Sequence, residues 1–251
     1  MITAINEIAK TQEILNRFQT IEFNATLPVS LKVTAKLDLN RYILQIGNKT
    51  VETKSLIPLE EKEEYWGDFR YSKENILKLS NLLKKPSFEK KHFSKIIFFD
   101  MEETKNIFSQ KEPVKSFKEN ILQKLALAEN RQDFIQLTNM LIALRENIFF
   151  IPIEDEGRRY FFQFKKKQKN DIVKKEFTVE FYASFKNLGP IKGTVKSFKD
   201  FQKITIYTYY EKSGNFLKKE LKELDFECDI KVSREIYPLF QSSDKLLDIK
   251  G

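Results

Sequence analysis

Residues 146–167 read ENIFFIPIEDEGRRYFFQFKKK, and their period decides the fold. From Ile148 the apolar spacing changes from helical to twofold. IFFIPI and RRYFFQFKK are rich in aromatic and β-branched residues, and the polar EDEGR between them, around Gly157, is turn chemistry. The pattern predicts a β-hairpin. Outward on the C-terminal side, EFTVEFYASF (176–185) reads as a third strand. GPIKGTVKSF (189–198) and QKITIYTYY (202–210) read as a second hairpin that turns near Lys199 and Asp200. Residues 213–224 place Phe216, Leu217, Leu221 and Leu224 on one helical face. That helix would bring FECDIKVSREI (226–236) back to the sheet as the last strand. Outward on the N-terminal side lie two helices. Residues 114–128 carry Val114, Phe117, Ile121, Leu122, Leu125 and Leu127, and residues 133–145 carry Phe134, Leu137, Met140, Leu141 and Leu144. Stripes of this kind are core faces. Past Tyr237, Pro238 and the polar SSDK predict a flexible tail.

The first part of the chain has a different rhythm. Residues 3–19 form an amphipathic helical pattern through Ile5, Ile8, Leu15 and Phe18. LKVTAKLDL (31–39) alternates strictly, RYILQI (41–46) follows, and Gly47-Asn48 is a two-residue hairpin turn into NKTVETKSLI. Three short antiparallel strands suggest a small barrel or sheet, with Tyr42 its one candidate stacking ring. EEKEEYWGDF (60–69) reads as a solvated turn or helix start, with Trp66 and Phe69 plugging the barrel end. Residues 72–85 read as a helix that Ser72 caps and Pro86 stops, with Ile76, Leu77, Leu79, Leu82 and Leu83 as its stripe. SKIIFFD (94–100) is a short apolar strand or a buried segment. The expected fold class is therefore α+β: a small N-terminal β-barrel-like module, then a C-terminal domain with an antiparallel sheet and helices mainly on one face. The expected divisions are 1–71, a helical and basic connecting region 72–113, the α+β domain 114–237, and the tail 238–251.

Composition removes several function classes. The 251 residues contain one cysteine, Cys228, and one histidine, His92. That excludes a disulfide framework and cysteine- or histidine-built metal centres within the chain. No apolar run approaches the length of a membrane span. The start lacks a secretory pattern, so the default expectation is a cytoplasmic protein, with export by a specialised apparatus left open. Lys plus Arg is 44 against 36 acidic residues, a net charge of +8, which favours acidic partners. Only eight of those 44 are Arg, the better reader of phosphate and guanine. The densest basic block, FKKKQKNDIVKK (164–175), is either a solvated loop or a docking site.

No phosphate-cradling glycine loop, dinucleotide fingerprint or nucleophile elbow is present. Asp100, Glu102 and Glu103 follow an apolar run. They could hold a divalent cation or simply form a turn. Cys228 alternates within a strand as a small core residue. No catalytic residue, metal site or cofactor is expected.

The C-terminal segment does resemble a family. FTVEFYASFKNLGPIKGTVKSF, then QKITIYTYY, then FLKKELKEL leading to IKV, is similar to the C-terminal domain of bacterial flagellar hook-length control proteins. The likeness covers roughly residues 114–232. It departs from the family at Phe185, where proline is common, and at Gly193, where an apolar strand residue is usual. The Pro- and Gln-rich ruler segment of full-length members is missing. The resemblance implies a non-enzymatic protein that contacts the cytoplasmic domain of the flagellar export gate and switches it from hook-type to filament-type substrates. Hook-assembly proteins are further candidate partners. By the same resemblance, the contact region is Leu188, Gly189, Pro190, Ile191 and Val195. A glycine turn permits close backbone approach, and neighbouring apolar residues supply a desolvated anchor. The alternative function is nucleic-acid binding by the basic N-terminal β module.

Overall fold

A computed structural model describes residues 27–71, 77–89, 97–167, 176–198, 201–222 and 228–241. The predicted helix at 3–19, His92 and residues 242–251 lie outside the described residues.

The first sheet contains β1 (Val29–Lys36), β2 (Arg41–Ile46), β3 (Lys49–Lys54), β4 (Glu64–Tyr71) and β5 (Leu77–Lys84), in the order β3-β2-β1-β4-β5. All its pairings are antiparallel. Twofold alternation does the work. Val29, Leu31, Val33, Tyr42, Leu44 and Ile46 point to one side and form a core with Leu59 and Tyr65. The β2–β3 turn is taken by Gly47 at φ 58°. The sheet stays open, so the barrel expected from the sequence does not form: β3 and β5 are separate edges.

EEKE does form an exposed turn, at Glu61 and Lys62, but from Glu64 EYWGDF is a strand rather than a helix start. Leu77–Lys84 is a strand rather than a helix. The register between them slips between Trp66 and Asp68, and Asn81 sits at φ 52°. A bulge of this kind inserts a residue and breaks alternation. The leucines at 77, 79 and 82 thereby acquire a spacing that imitates a helix.

The second sheet contains β6 (Ile148–Asp155), β7 (Arg158–Lys167), β8 (Glu176–Phe185), β9 (Gly189–Phe198), β10 (Phe201–Thr208) and β11 (Cys228–Val232) in sequence order across the sheet. The six strands fall in the segments whose spacing predicts them, but the sheet is mixed rather than wholly antiparallel. β6 to β10 are antiparallel, and β11 lies parallel to β10. That last pairing follows from the intervening helix, because a parallel neighbour needs a crossover. The β6–β7 hairpin turns through Glu156 at φ 49° and Gly157 at φ 74°, the paired positive angles of a type I′ turn.

Four helices are described: α1 (Met101–Ser109), α2 (Pro113–Ala126), α3 (Arg131–Arg145) and α4 (Glu211–Lys222). Each start follows from its residues. The Asp100 carboxylate accepts from Glu103 N at 2.6 Å. Pro113 opens α2. Asn130 Oδ1 accepts from Gln132 N and Asp133 N, both at 3.0 Å. Phe108 of α1 packs on Phe149 and Phe164, Phe117 of α2 packs on Phe149, and Gly214 of α4 approaches Thr208, Ile230 and Val232. These three helices therefore share one sheet face. Part of the opposite face is covered by Phe88, which packs on Phe150, Phe161 and Tyr182, and by Phe240, which packs on Phe150.

Phe240 also corrects the expected tail. It is buried, its N–H donates to Gln163 Oε1 at 3.0 Å, and its carbonyl accepts from Gln163 Nε2 at 2.9 Å. Residues 238–241 pack on the sheet because a buried amide side chain in β7 reproduces the pairing a neighbouring strand would offer.

Candidate partner-binding site

The β8–β9 connection carries the residues marked by the family resemblance. Gly189 adopts φ 73°, a left-handed angle that glycine reaches without strain. Leu188 and Ile191 are 2% and 3% exposed, Gly189 and Pro190 are buried, and Val195 is half-buried against the main core. The strand register sends Gly189, Ile191 and Val195 to the helix-bearing face, beside Phe185, Ala183 and Val179. Pro190 faces the other way beside Ser184. Leu188, Gly189 and Ile191 are buried together at the turn, Pro190 lies on the opposite face, and half-buried Val195 stands four residues further along β9 from Ile191.

Part of the turn's cover comes from the first sheet, through Trp66, and part from the second sheet's own chain, through Tyr210 and Ser213. Trp66, 1% exposed, donates its indole N–H to Phe185 O at 3.1 Å. Tyr210 donates its hydroxyl to Asn81 O in β5 at 3.0 Å. A Cβ placed on Gly189 would lie 2.7 Å from the Tyr210 ring and 4.0 Å from Trp66 Cγ. Ser213 at the start of α4 donates to Leu188 O at 2.8 Å. The turn is thus the joint between the two sheets. Trp66 does not plug a barrel; it plugs this joint, and the sequence carried no signal that its partner lay 119 residues away.

Electrostatics around the joint are arranged for structure. Burial, with neighbouring Tyr209 and Asp68 adding to it, pushes the Tyr210 phenol far above its ordinary range, so it stays a proton donor to Asn81. Asp68 accepts from Asn81 Nδ2 at 2.8 Å, and its other oxygen is buried without a hydrogen bond. Lys85 lies beside Trp66, 5.3 Å from the ring centroid, and donates to Ser30 Oγ at 2.7 Å and to the Glu64 carboxylate at 3.3 Å.

Other sequence candidates have settled roles. Asp100 caps α1, and Glu103 is held by Asn120 Nδ2 at 2.9 Å and Lys124 Nζ at 3.0 Å. They border a groove of about 510 Å³ between α1 and α2. Among the described residues, no set of three or more His, Cys, Asp or Glu could hold a metal ion. The Cys228 thiol is pushed up to about 12, chiefly by burial and then by Asp229, which leaves it protonated and unreactive near neutrality. Tyr42 is buried in the first core, where its hydroxyl accepts from Leu59 N at 3.2 Å, so it offers no ring to a base. Among the described residues, no helix is long and apolar enough to cross a membrane.

No known protein family, curated protein or solved structure matches the chain.

Proposed function

We propose that this chain is a non-enzymatic flagellar assembly protein that binds the cytoplasmic domain of the type III export gate and influences its switch from hook-type to filament-type substrates. The observation that supports this reading is the order of elements across 176–232. β8 ends at Phe185, a turn leads through Leu188 to Gly189, a strand from Gly189 carries Ile191 and Val195, a strand runs through Ile204, a helix carries FLKKELK, and a strand carries IKV. That is the order in which the resembling motifs stand, with glycine at the one left-handed position between β8 and β9.

The contact region is Leu188, Gly189, Pro190, Ile191 and Val195, and it is reached when the first sheet lifts from the joint. Trp66 and Tyr210 hold that sheet down through one hydrogen bond each. Gate binding then competes with an internal contact. A ligand that selects a minor open state has its affinity reduced by the population of that state. Weakening the cover in Trp66→Ala is expected to raise retention of the purified gate domain severalfold in a pull-down from a defined mixture. Absence of retention by both the parent chain and the variant would overturn the reading. The natural test variant at Gly189 is unsuitable alone, since a side chain there collides with Tyr210 and disrupts the joint itself.

A further inference from the structure

The sheet face opposite α1, α2 and α4 carries, beyond the part that Phe88 and Phe240 cover, a lysine field that the contact region above does not use. Three register rows define it. One runs Lys165, Glu180, Thr194, Thr205, Asp229; a second runs Lys192, Tyr207, Lys231 beyond Tyr182; a third places Lys167 opposite Thr178, and Lys196 between Thr178 and Lys203. Lys196 and Lys203 are exposed and Lys192 is half-exposed. The only acids in these rows are already engaged: Glu180 by Lys167 at 2.7 Å and Asp229 by Lys231 at 2.9 Å. Lys165, Lys192, Lys196 and Lys203 have no ion pair among the described residues.

Two features separate this field from an ordinary solvated face. Lys196 and Lys203 are direct cross-strand partners. Like charges placed directly opposite destabilise a sheet, and nothing within these rows relieves the pair. The field is also broad. Strand spacing of about 4.8 Å and a rise of about 3.3 Å per residue spread it over roughly 13 by 20 Å. We infer that this face is a docking surface for an acidic polypeptide segment whose carboxylates take the place of the missing counter-charges. The inference rests on the reading of the chain as a polypeptide-binding protein, not on the gate as partner. Carboxylate is favoured over nucleic acid by the residue types. Within the described rows there is no arginine to fork onto phosphate, and Tyr207 is the one ring able to meet solvent, whereas strand-binding platforms stack successive bases on several.

The test uses the full chain and a fluorescein-labelled decaglutamate peptide, read by anisotropy across salt concentrations. Lys192→Glu, Lys196→Glu and Lys203→Glu together are expected to weaken binding at least tenfold. Lys36→Glu, Lys49→Glu and Lys54→Glu, an equal change of net charge on the first sheet, are expected to change it less than twofold. The corresponding Lys→Gln triple at 192, 196 and 203, with a native circular dichroism spectrum, guards against misfolding and is expected to lose most of the affinity. No binding by the parent chain, equal losses in both charge-reversal triples, or tighter binding of an oligothymidine lost in the same triple would overturn the inference. Retention of decaglutamate without retention of the gate domain would count against the gate reading and leave this one standing.

Discussion

Gly193 occupies the middle of β9, where a side chain would ordinarily pack. Its cross-strand neighbour Phe181 explains it: the ring folds over the glycine, and a Cβ there would collide with that ring and lie 2.6 Å from Thr205 O. Gly193→Ala is expected to cost about 1–3 kcal/mol by overpacking, read from urea denaturation midpoints. A neutral result would mean that the ring does not rest there. Lys85 and Glu64 form a pair with side chains only 8% and 7% exposed. Glu64→Gln leaves a buried ammonium without its counter-charge and is expected to cost about 3–5 kcal/mol. Cys228 gives a pH signature. Its thiol titrates higher in the folded chain than in the unfolded one, so its contribution to stability is complete below the unfolded value. That contribution is lost as pH rises toward about 12. Alkaline destabilisation should flatten in Cys228→Ala, and native Cys228 should alkylate far more slowly at pH 8 than the unfolded chain does. None of these environments was readable from the sequence beyond the parity that made Cys228 a core residue. Parity gives a side chain its face but not the neighbour across the sheet.

At the scale of elements, legibility followed periodicity. The hairpin of β6 and β7, the two helices α2 and α3 and the Leu-rich α4 stand where their apolar spacing put them. Failures occurred where a local device erased the period. The bulge at Asn81 turned a strand into a helix-like pattern, and the open edges of the first sheet cannot be told from a closed barrel by alternation alone. α1 was invisible because its nine residues are mostly polar and it is recognised by its cap at Asp100. Residues 238–241 carry no periodicity that marks them as packed, because Gln163, rather than a strand, pairs with Phe240. Truncation after Tyr237 removes Phe240 from the core and strands both polar ends of Gln163. The expected loss is about 3–5 kcal/mol, comparable with deleting a buried phenylalanine. An unchanged unfolding midpoint would show that residues 238–241 contribute nothing to the sheet.

For the whole molecule, the decisive feature is the joint at Leu188 and Gly189. The resemblance pointed to these residues, and the fold buries them, with Trp66 of the first sheet and Tyr210 of the second against Gly189; under the proposed function the partner competes with Trp66 for this turn. Sequence could supply the turn but not its cover, because Trp66 reaches it from a separate sheet. The charge of +8 acquires a location only in the fold, where alternation in GPIKGTVKSF sends Lys192 and Lys196 to the face opposite α1, α2 and α4. The most direct test of the central claim is calorimetric titration of the purified export-gate cytoplasmic domain into the full chain at two temperatures. The account predicts saturable binding with a negative heat-capacity change, as apolar surface at the joint is transferred to the partner. A flat titration for both the parent chain and Trp66→Ala would contradict it.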